Sequence, residues 1–249
     1  MLTVVICSID REKFRRVVEM YARVLHGVEH EIVGVHDARS MCEGYARAMS
    51  RARGERVLFS HDDVELLGGN VGARVARGFE AFDVWGVAGA TRVAGAGWVR
   101  AGPPHIYGQI AHRAGNEGVY TVCVYSAPSR RVGGMRVLDG VLLGATREAV
   151  ERVGFDGSTF GGFHLYDVDF SFRAHLEGLR VGVVCDLGVV HFSGGSFDAR
   201  WEEDAARFES KHAGRLERPA QGRFQFSAVQ VGSAEEALGV MTPEHWGAE

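Results

Sequence analysis

The sequence predicts a single α/β domain built on a mostly parallel central sheet with helices on both faces. Two observations predict it. In residues 1–92, short apolar runs alternate with segments of helical spacing, as in strands joined by crossover helices. The composition, 249 residues with 46% hydrophobic and 24% charged, is that of a globular chain able to bury a core of this size.

The first part of the chain is expected to supply four strands and three helices. The strands are predicted at residues 3–8, 31–36, 56–60 and 84–89. The helices are predicted at residues 12–25, from Ser40 to about residue 51, and at 72–82. Ser40 followed by Glu43 forms a capping box for the second helix.

The regular pattern breaks at residues 93–135, which are rich in glycine and contain Pro103-Pro104. We predict one strand there, at residues 119–125, within an insertion that includes a hairpin and a mobile flap. An excursion with no catalytic part is the alternative. After it we predict helices at residues 147–153 and from Tyr166 to about Gly178, a strand at 180–190 and a helix at about 198–213.

Charge and cysteine usage exclude several classes. The net charge of -4, without a block of lysine or arginine, argues against a nucleic-acid partner. Neither a secretory signal nor a transmembrane segment is visible, because the opening apolar run meets Asp10 and Arg11. The four cysteines form no Cys-x-x-Cys pair and are typical of reduced core residues. We therefore expect a cytoplasmic protein, at most attached peripherally to the inner membrane.

Polar residues follow each of the first three predicted strands. Ser8 ends the first strand, His36-Asp37 follows the second, and His61-Asp62-Asp63 follows the third. The carboxyl ends of parallel strands meet at one edge of a sheet, where ligands bind in open α/β folds. The sequence therefore predicts a binding site formed by these three strand ends.

The adjacent carboxylates of Asp62 and Asp63 favour a metal site. Two neighbouring carboxylates repel each other unless a cation or a solvated loop relieves the repulsion. Mg²⁺ and Mn²⁺ prefer oxygen ligands and often bridge to substrate phosphates. A solvated turn, in which aspartate is common, is the alternative.

Two later groups are further candidates. Asp167 and Asp169 open a predicted helix, where capping and the helix dipole also favour aspartate. Asp167 is placed to act as a general base, which needs an ionised carboxylate facing a hydroxyl. His191 leaves an apolar strand just before Gly194-Gly195, as a metal ligand, a phosphate contact or a structural histidine would.

In this order, these segments resemble glycosyltransferases of the GT-A fold, close to the large inverting family 2 and its bacterial glycosyltransferase-like relatives. The resemblance covers about residues 3–196. Its landmarks are the strand at 3–8, Asp37, His61-Asp62-Asp63 in the place of an Asp-x-Asp motif, Asp139-Gly140 with the Glu-Asp-x-Asp-like stretch Tyr166-Asp167-Val168-Asp169, and His191.

The resemblance implies a metal-dependent enzyme that moves a sugar, with inversion, from a UDP- or GDP-linked donor to a hydroxyl of a glycan or small-molecule acceptor. It implies Mn²⁺ or Mg²⁺ bound by Asp63 and His191, with Asp167 as the catalytic base. The remaining residues that it implies contact the donor are Ser8, Asp37, His61, Asp62, Asp139 and Gly162.

The same resemblance divides the chain. It implies a GT-A domain at residues 1–197, with a nucleotide-binding half at 1–92, the insertion at 93–135 and an acceptor-side half at 136–197. A helical tail would follow at 198–249.

Two departures from the family pattern leave alternatives open. His61 stands where the first aspartate of the metal motif is usual, and Tyr166 stands where glutamate usually precedes the base, so Asp169 remains a candidate base beside Asp167. A sugar-nucleotide nucleotidyltransferase is one rival function, although the loop after the first strand lacks its glycines. A catalytically degenerate nucleotide-binding module is the other.

Overall fold

The computed structural model describes residues 1–113, 118–195, 197–219, 226–242 and 246. Its strands are β1 (Leu2–Cys7), β2 (His30–Val35), β3 (Arg56–Ser60), β4 (Val64–Leu67), β5 (Val84–Gly86), β6 (Ala88–Ala90), β7 (Ile106–His112), β8 (Tyr120–Ser126), β9 (Arg131–Gly133), β10 (Val137–Leu138), β11 (Leu142–Thr146), β12 (Val181–Val184), β13 (Gly188–His191) and β14 (Ser227–Val231). Its α-helices are α1 (Arg11–Val24), α2 (Met41–Met49), α3 (Val71–Ala81), α4 (Arg147–Val153), α5 (Tyr166–Leu176), α6 (Ala199–Lys211) and α7 (Ala234–Met241).

The central sheet has the order β2-β1-β3-β11-β5-β12-β9. β1 pairs in parallel with both β2 and β3, and β12 pairs in parallel with β5. β11 is antiparallel to both β3 and β5, and β9 is antiparallel to β12, so five of the seven strands point the same way. The mostly parallel sheet predicted from the sequence is confirmed.

A second sheet packs beside the first, in the order β10-β6-β7-β13-β4, with β8 paired to β7 and β14 paired to β8. The prediction of one strand at residues 84–89 and one at residues 180–190 was wrong. Each segment is two short strands, because the chain passes from the central sheet into the second one. The crossings lie at Val87 and at the buried turn containing Asp186.

Helix boundaries follow local capping. The side chain of Asp10 accepts hydrogen bonds from the backbone N–H groups of Glu12 and Lys13 at the start of α1. Ser40 caps α2 by accepting from the N–H of Glu43 at 3.1 Å, which is one half of the predicted capping box, while the Glu43 carboxylate accepts from the N–H of Arg39. α2 packs on β1 and β2, while α3 packs on β5, β11 and β12. The side chains buried between these helices and the central sheet form an apolar core.

The segment at 93–135 contributes strands to the second sheet. β7 and β8 pair antiparallel, and β8 confirms the strand predicted at 119–125. Residues 114–117 of the predicted flap lie outside the described residues. Before β7, a 3-10 helix (Trp98–Ala101) places the buried Trp98 against Asp139.

The last part of the chain is helical only in part. α6 confirms the helix predicted at about 198–213, whereas β14 and α7 were not predicted from the sequence. Residues 220–225, 243–245 and 247–249 of this tail, and Ser196 before it, lie outside the described residues. Within the described part of the chain, no helix is both long and apolar enough to span a membrane.

Candidate active site

The three predicted strand ends lie at one edge of the sheet, where His36 Nδ1 after β2 is 2.9 Å from the carbonyl oxygen of Ser8 after β1. β1 and β3 lie side by side in parallel, and the Ser8 hydroxyl after β1 donates a 2.6 Å hydrogen bond to Asp62 Oδ2 after β3. Asp37, after β2, points elsewhere. Its side chain is 79% exposed and forms an ion pair with Arg47 at 2.8 Å, so it lines neither of the cavities described below.

His61, Asp63 and His191 form a compact group, called here the metal triad. Antiparallel pairing of β13 with β4 sets His191 opposite Val64, beside the end of β3. His191 Nε2 then lies 3.3 Å from Asp63 Oδ1 and 3.3 Å from His61 Nδ1, while His61 Nδ1 lies 3.9 Å from Asp63 Oδ1. The sequence suggested Asp63 and His191 as metal ligands and put His61 with the donor; the structure groups all three.

The triad fits a divalent cation. Its three ligand atoms lie within 4.8 Å of one another, and ligands bound at about 2.1 Å to one metal stand about 3 to 3.5 Å apart. Burial and the neighbouring His191 lower the pKa of His61, which favours the neutral imidazole that binds metals. Burial raises the pKa of Asp63, but the hydrogen bond and charge of His191 outweigh it and hold that pKa well below its usual range.

Tyr166 connects the triad to the acid that follows it in sequence. The Tyr166 hydroxyl lies 2.9 Å from His61 Nε2 and 3.3 Å from the Gly140 carbonyl oxygen, to which it donates. His61 Nε2–H can then donate to the tyrosine oxygen, which leaves the lone pair of Nδ1 facing Asp63 and His191. This outer hydrogen bond selects the tautomer that a metal needs.

Asp167 lies in a cavity of about 270 Å³ whose wall also includes His61, His191 and Asp139. Burial, followed by the charge of Asp139, raises the pKa of Asp167 to about 7, and backbone N–H groups only partly offset them. Among the described residues Asp167 forms no ion pair. A carboxyl with such a pKa can accept a proton near neutral pH.

Asp169 is tied into a structural network instead. Its carboxylate, 1% exposed, lies 2.7 Å from Arg173 Nε, 2.6 Å from Lys211 Nζ and 2.9 Å from His212 Nε2. The guanidinium of Arg173 also donates to the carbonyl oxygen of Gly154 after α4, at 2.6 Å. Asp169 therefore joins α5 to α6 and to the end of α4, and the geometry favours Asp167 as the base.

Backbone shape brings Tyr166 and Asp167 to the cavity. Leu165 adopts a left-handed backbone with φ 58°, which turns the chain sharply into α5. Gly140 faces the first turn of this helix. A Cβ atom there would lie 2.6 Å from the Tyr166 hydroxyl and 2.7 Å from Asp167 Oδ2, so only glycine allows this approach.

The other candidates from the sequence lie around this cavity. Asp139 accepts hydrogen bonds from Trp98 Nε1 and from the Val141 N–H, both at 2.9 Å, which fixes its carboxylate in the wall. Gly162 does not line the cavity, and its carbonyl oxygen accepts from the N–H of Met41 at the start of α2. It lies immediately before Phe163, which does line it.

A second cavity of about 360 Å³ lies on the other side of the triad. Asp62 and Asp63 line it, together with Lys13, Arg16 and Arg23 of α1. The triad thus forms part of the boundary between two cavities, with its histidines in the first and its carboxylate in the second. The first cavity has no lysine or arginine among its described wall residues.

Several wall residues were missed by the sequence analysis. The basic side chains of α1 repeat at helical spacing directly after the first strand, a signal that could have been read as a patch for an anion. The aromatic residues in the wall of the first cavity could not have been found from the sequence, because they come from segments that are far apart in the chain. These aromatic residues are Trp98, Tyr125, Phe163, Phe197 and Trp201.

Known proteins resemble the chain in fold. The solved structure of GalNAc-T7 with UDP, GalNAc and Mn²⁺ is 11% identical, with a TM-score of 0.50, over 84% of this chain and 47% of that one. The mannosyltransferase PcManGT from Pyrobaculum calidifontis, in complex with GDP-Man and Mn²⁺, is 12% identical, with a TM-score of 0.50, over 88% and 65%. The chain therefore spans about half and about two thirds of these two proteins.

Sequence comparison gives the family. No curated protein sequence matches the chain. The family profile described as "Glycosyltransferase like family" matches residues 3–212, which include β1 from its second residue, the triad, Asp167 and all of α6. With the GT-A fold of the solved neighbours, this match establishes that the chain belongs to the glycosyltransferase-like family.

Proposed function

We propose that the protein is a metal-dependent, inverting glycosyltransferase that moves a sugar from a UDP- or GDP-linked donor to an acceptor hydroxyl. One observation carries the proposal. Asp167, with a pKa raised to about 7, shares a cavity with His61 and His191 of the metal triad. A base and a cation site across one cavity are what displacement of a nucleoside diphosphate by a hydroxyl requires.

The cation would be Mn²⁺ or Mg²⁺, held by His61, Asp63 and His191. Two imidazoles and one carboxylate suit Mn²⁺ better than Mg²⁺, which prefers oxygen ligands alone. When bound, the cation supplies positive charge that stabilises the departing diphosphate. Both solved neighbours named above contain Mn²⁺ and a nucleotide or nucleotide sugar, which supports this assignment.

Asp167 would act on the acceptor. Its carboxylate takes the proton of the acceptor hydroxyl while that oxygen bonds to the anomeric carbon and the bond from this carbon to the diphosphate oxygen breaks. Attack from the face opposite the leaving group inverts the anomeric configuration in one displacement. Asp139, fixed by Trp98, is placed to hydrogen-bond the donor sugar, and its charge helps keep Asp167 basic.

The donor nucleotide is assigned to the strand ends and the second cavity. Ser8 and Asp62 form the meeting point of β1 and β3, where nucleotides bind in open α/β sheets. Lys13 and Arg16 line the second cavity beside Asp63, and their charges can balance a diphosphate. Asp37 would contact the base only after leaving Arg47.

A screen of nucleoside diphosphates by thermal shift, with and without Mn²⁺, tests the proposal. UDP or GDP should raise the melting temperature only when Mn²⁺ is present, and the Asp63→Ala variant should lose this effect. Donor turnover should then release a nucleoside diphosphate. Release of pyrophosphate from a nucleoside triphosphate would favour the nucleotidyltransferase, and binding without turnover over a broad acceptor panel would favour the degenerate module.

A further inference from the structure

The mouth of the first cavity carries exposed aromatic rings. Phe197 is 70% exposed and Phe163 is 49% exposed, although both line the cavity that contains Asp167. Trp201 of α6 lines the same cavity, with its ring 5.2 Å from that of Phe197 at 67°. Phe163, Phe197 and Trp201 are called here the aromatic platform. Large exposed aromatic side chains grouped at a cavity are typical of a binding surface.

The platform is held in place by neighbouring polar contacts. Asp198 caps α6 and accepts from the N–H of Trp201 at 3.0 Å. His164 Nε2 lies 3.7 Å from Asp198 Oδ1, so the loop carrying Phe163 passes beside the start of α6. The three rings therefore come from two segments that lie next to each other at the cavity.

Charge restricts what can lie on it. The described wall of this cavity contains the carboxylates of Asp139 and Asp167, four histidines and no lysine or arginine. An anionic acceptor such as a lipid phosphate or an acidic sugar would meet repulsion from these two carboxylates, because the cation proposed at the triad is engaged by the donor diphosphate. A neutral pyranose avoids this, because its axial C–H groups form an apolar face and its hydroxyls can reach the carboxylates.

We propose that the aromatic platform binds an uncharged pyranose of the acceptor and turns one of its hydroxyls towards Asp167. This inference rests on the proposed function, since it supplies the second substrate of that reaction. It assigns the acceptor to the class of neutral glycosides. Trp201 and Phe197 would determine acceptor affinity without contacting the cation or the nucleotide.

Saturation-transfer NMR on the whole protein with Mn²⁺ and saturating UDP or GDP tests the proposal. The probes are methyl glycosides of glucose, galactose, mannose and N-acetylglucosamine, the uronic acid and 6-phosphate forms of these sugars, and their octyl glycosides. At least one neutral methyl glycoside should receive saturation at its ring protons. The affinity for its charged counterparts should be lower by about tenfold or by a larger factor.

Variants identify the surface. Trp201→Ala and Phe197→Ala should each weaken binding of the neutral glycoside about tenfold, and Trp201→Phe should retain most of it. Leu176→Ala removes a side chain that is 44% exposed at the end of α5 and lines neither cavity, so it should bind like the unmodified protein. Nucleotide binding with Mn²⁺ is measured in the same samples and should be equal in all variants.

Several results would overturn the inference. These are equal or tighter binding of charged sugars, unchanged binding in both alanine variants, saturation confined to the octyl chain, or no binding by any neutral pyranoside. If the nucleotide binds with Mn²⁺ but the platform variants have no effect, the acceptor inference alone fails. If neither UDP nor GDP binds, the proposed function fails independently of the sugar result.

Discussion

The hydroxyl of Tyr166 lies 2.9 Å from Nε2 of His61, and this pair joins the metal triad to the segment that carries Asp167. Both residues depart from the acidic residues that the family pattern has at these positions. In this chain the two replacements contact each other. A histidine ligand needs an outer partner to fix its tautomer, and the buried tyrosine provides it.

Removing that hydroxyl should weaken metal binding. In Tyr166→Phe, His61 loses its outer hydrogen bond, and we expect the affinity for Mn²⁺ to fall by about 10- to 100-fold. Titration of Mn²⁺ followed by electron paramagnetic resonance measures this directly. Tyr107→Phe is the matched control, because Tyr107 lies on β7 and lines neither cavity. Equal affinity in the two variants would show that Tyr166 does not orient His61.

The rate of transfer should rise with pH through about 7. Burial and the charge of Asp139 raise the pKa of Asp167 to about 7, so the carboxyl is protonated and inactive as a base below this pH. Asp139→Asn removes the charge, and the midpoint of the pH–rate profile should move to lower pH whatever the maximal rate becomes. Saturation with Mn²⁺ is checked at each pH. An unmoved midpoint would contradict the coupling of the two carboxyls.

Asp167 and Asp169 should differ in their effect on stability. Asp169→Asn leaves Arg173 without its carboxylate partner and Lys211 with Asp156 alone, and should lower the free energy of unfolding by about 3 to 5 kcal/mol. Asp167→Asn should not be destabilising at pH 8, because the raised pKa means that folding disfavours the ionised carboxyl above pH 7. Urea unfolding at pH 8 compares them, and equal losses would refute the distinction.

Gly140→Ala should reduce activity while the protein stays folded. The added methyl would lie 2.6 Å from the Tyr166 hydroxyl and 2.7 Å from Asp167 Oδ2, so both side chains must shift. We expect a loss of about 100-fold in kcat/KM, since misplacement by about 1 Å has this effect. Gly69→Ala, with no atom within 4 Å of the new Cβ, is the control in the turn before α3. Unchanged kcat/KM in Gly140→Ala would argue against the close packing.

Much of the fold could be predicted because it depends on local pattern. Apolar runs and helical spacing predict β1, α1, β2, α2 and β3 almost to the residue, and Gly154 marks the end of α4. The second sheet could not be predicted in this way. The chain passes from one sheet to the other at Val87 and at Asp186. The strands on either side of each crossing are buried and apolar, so the sequence shows one continuous apolar run at Val87 and a run interrupted only by Asp186 at the other crossing.

The candidate site was predictable where topology brings residues together. Parallel strands place Ser8 beside Asp62, and the sequence predicted that these strand ends share one edge of the sheet because parallel strands end on the same side. The position of His61 in the triad depends on the orientation of its ring, which the tyrosine after Leu165 controls across 105 positions of sequence. No local pattern encodes such a contact, nor the presence of Phe163, Phe197 and Trp201 in the wall of one cavity.

The central claim is that Asp167 receives the acceptor proton across a cavity shared with the metal triad. The most direct test is Asp167→Asn, compared with the unmodified protein for transfer rate and for binding of the nucleoside diphosphate with Mn²⁺. We predict that transfer falls by about 100- to 10,000-fold while nucleotide binding stays within about twofold. Transfer at a near-normal rate in Asp167→Asn would contradict the account.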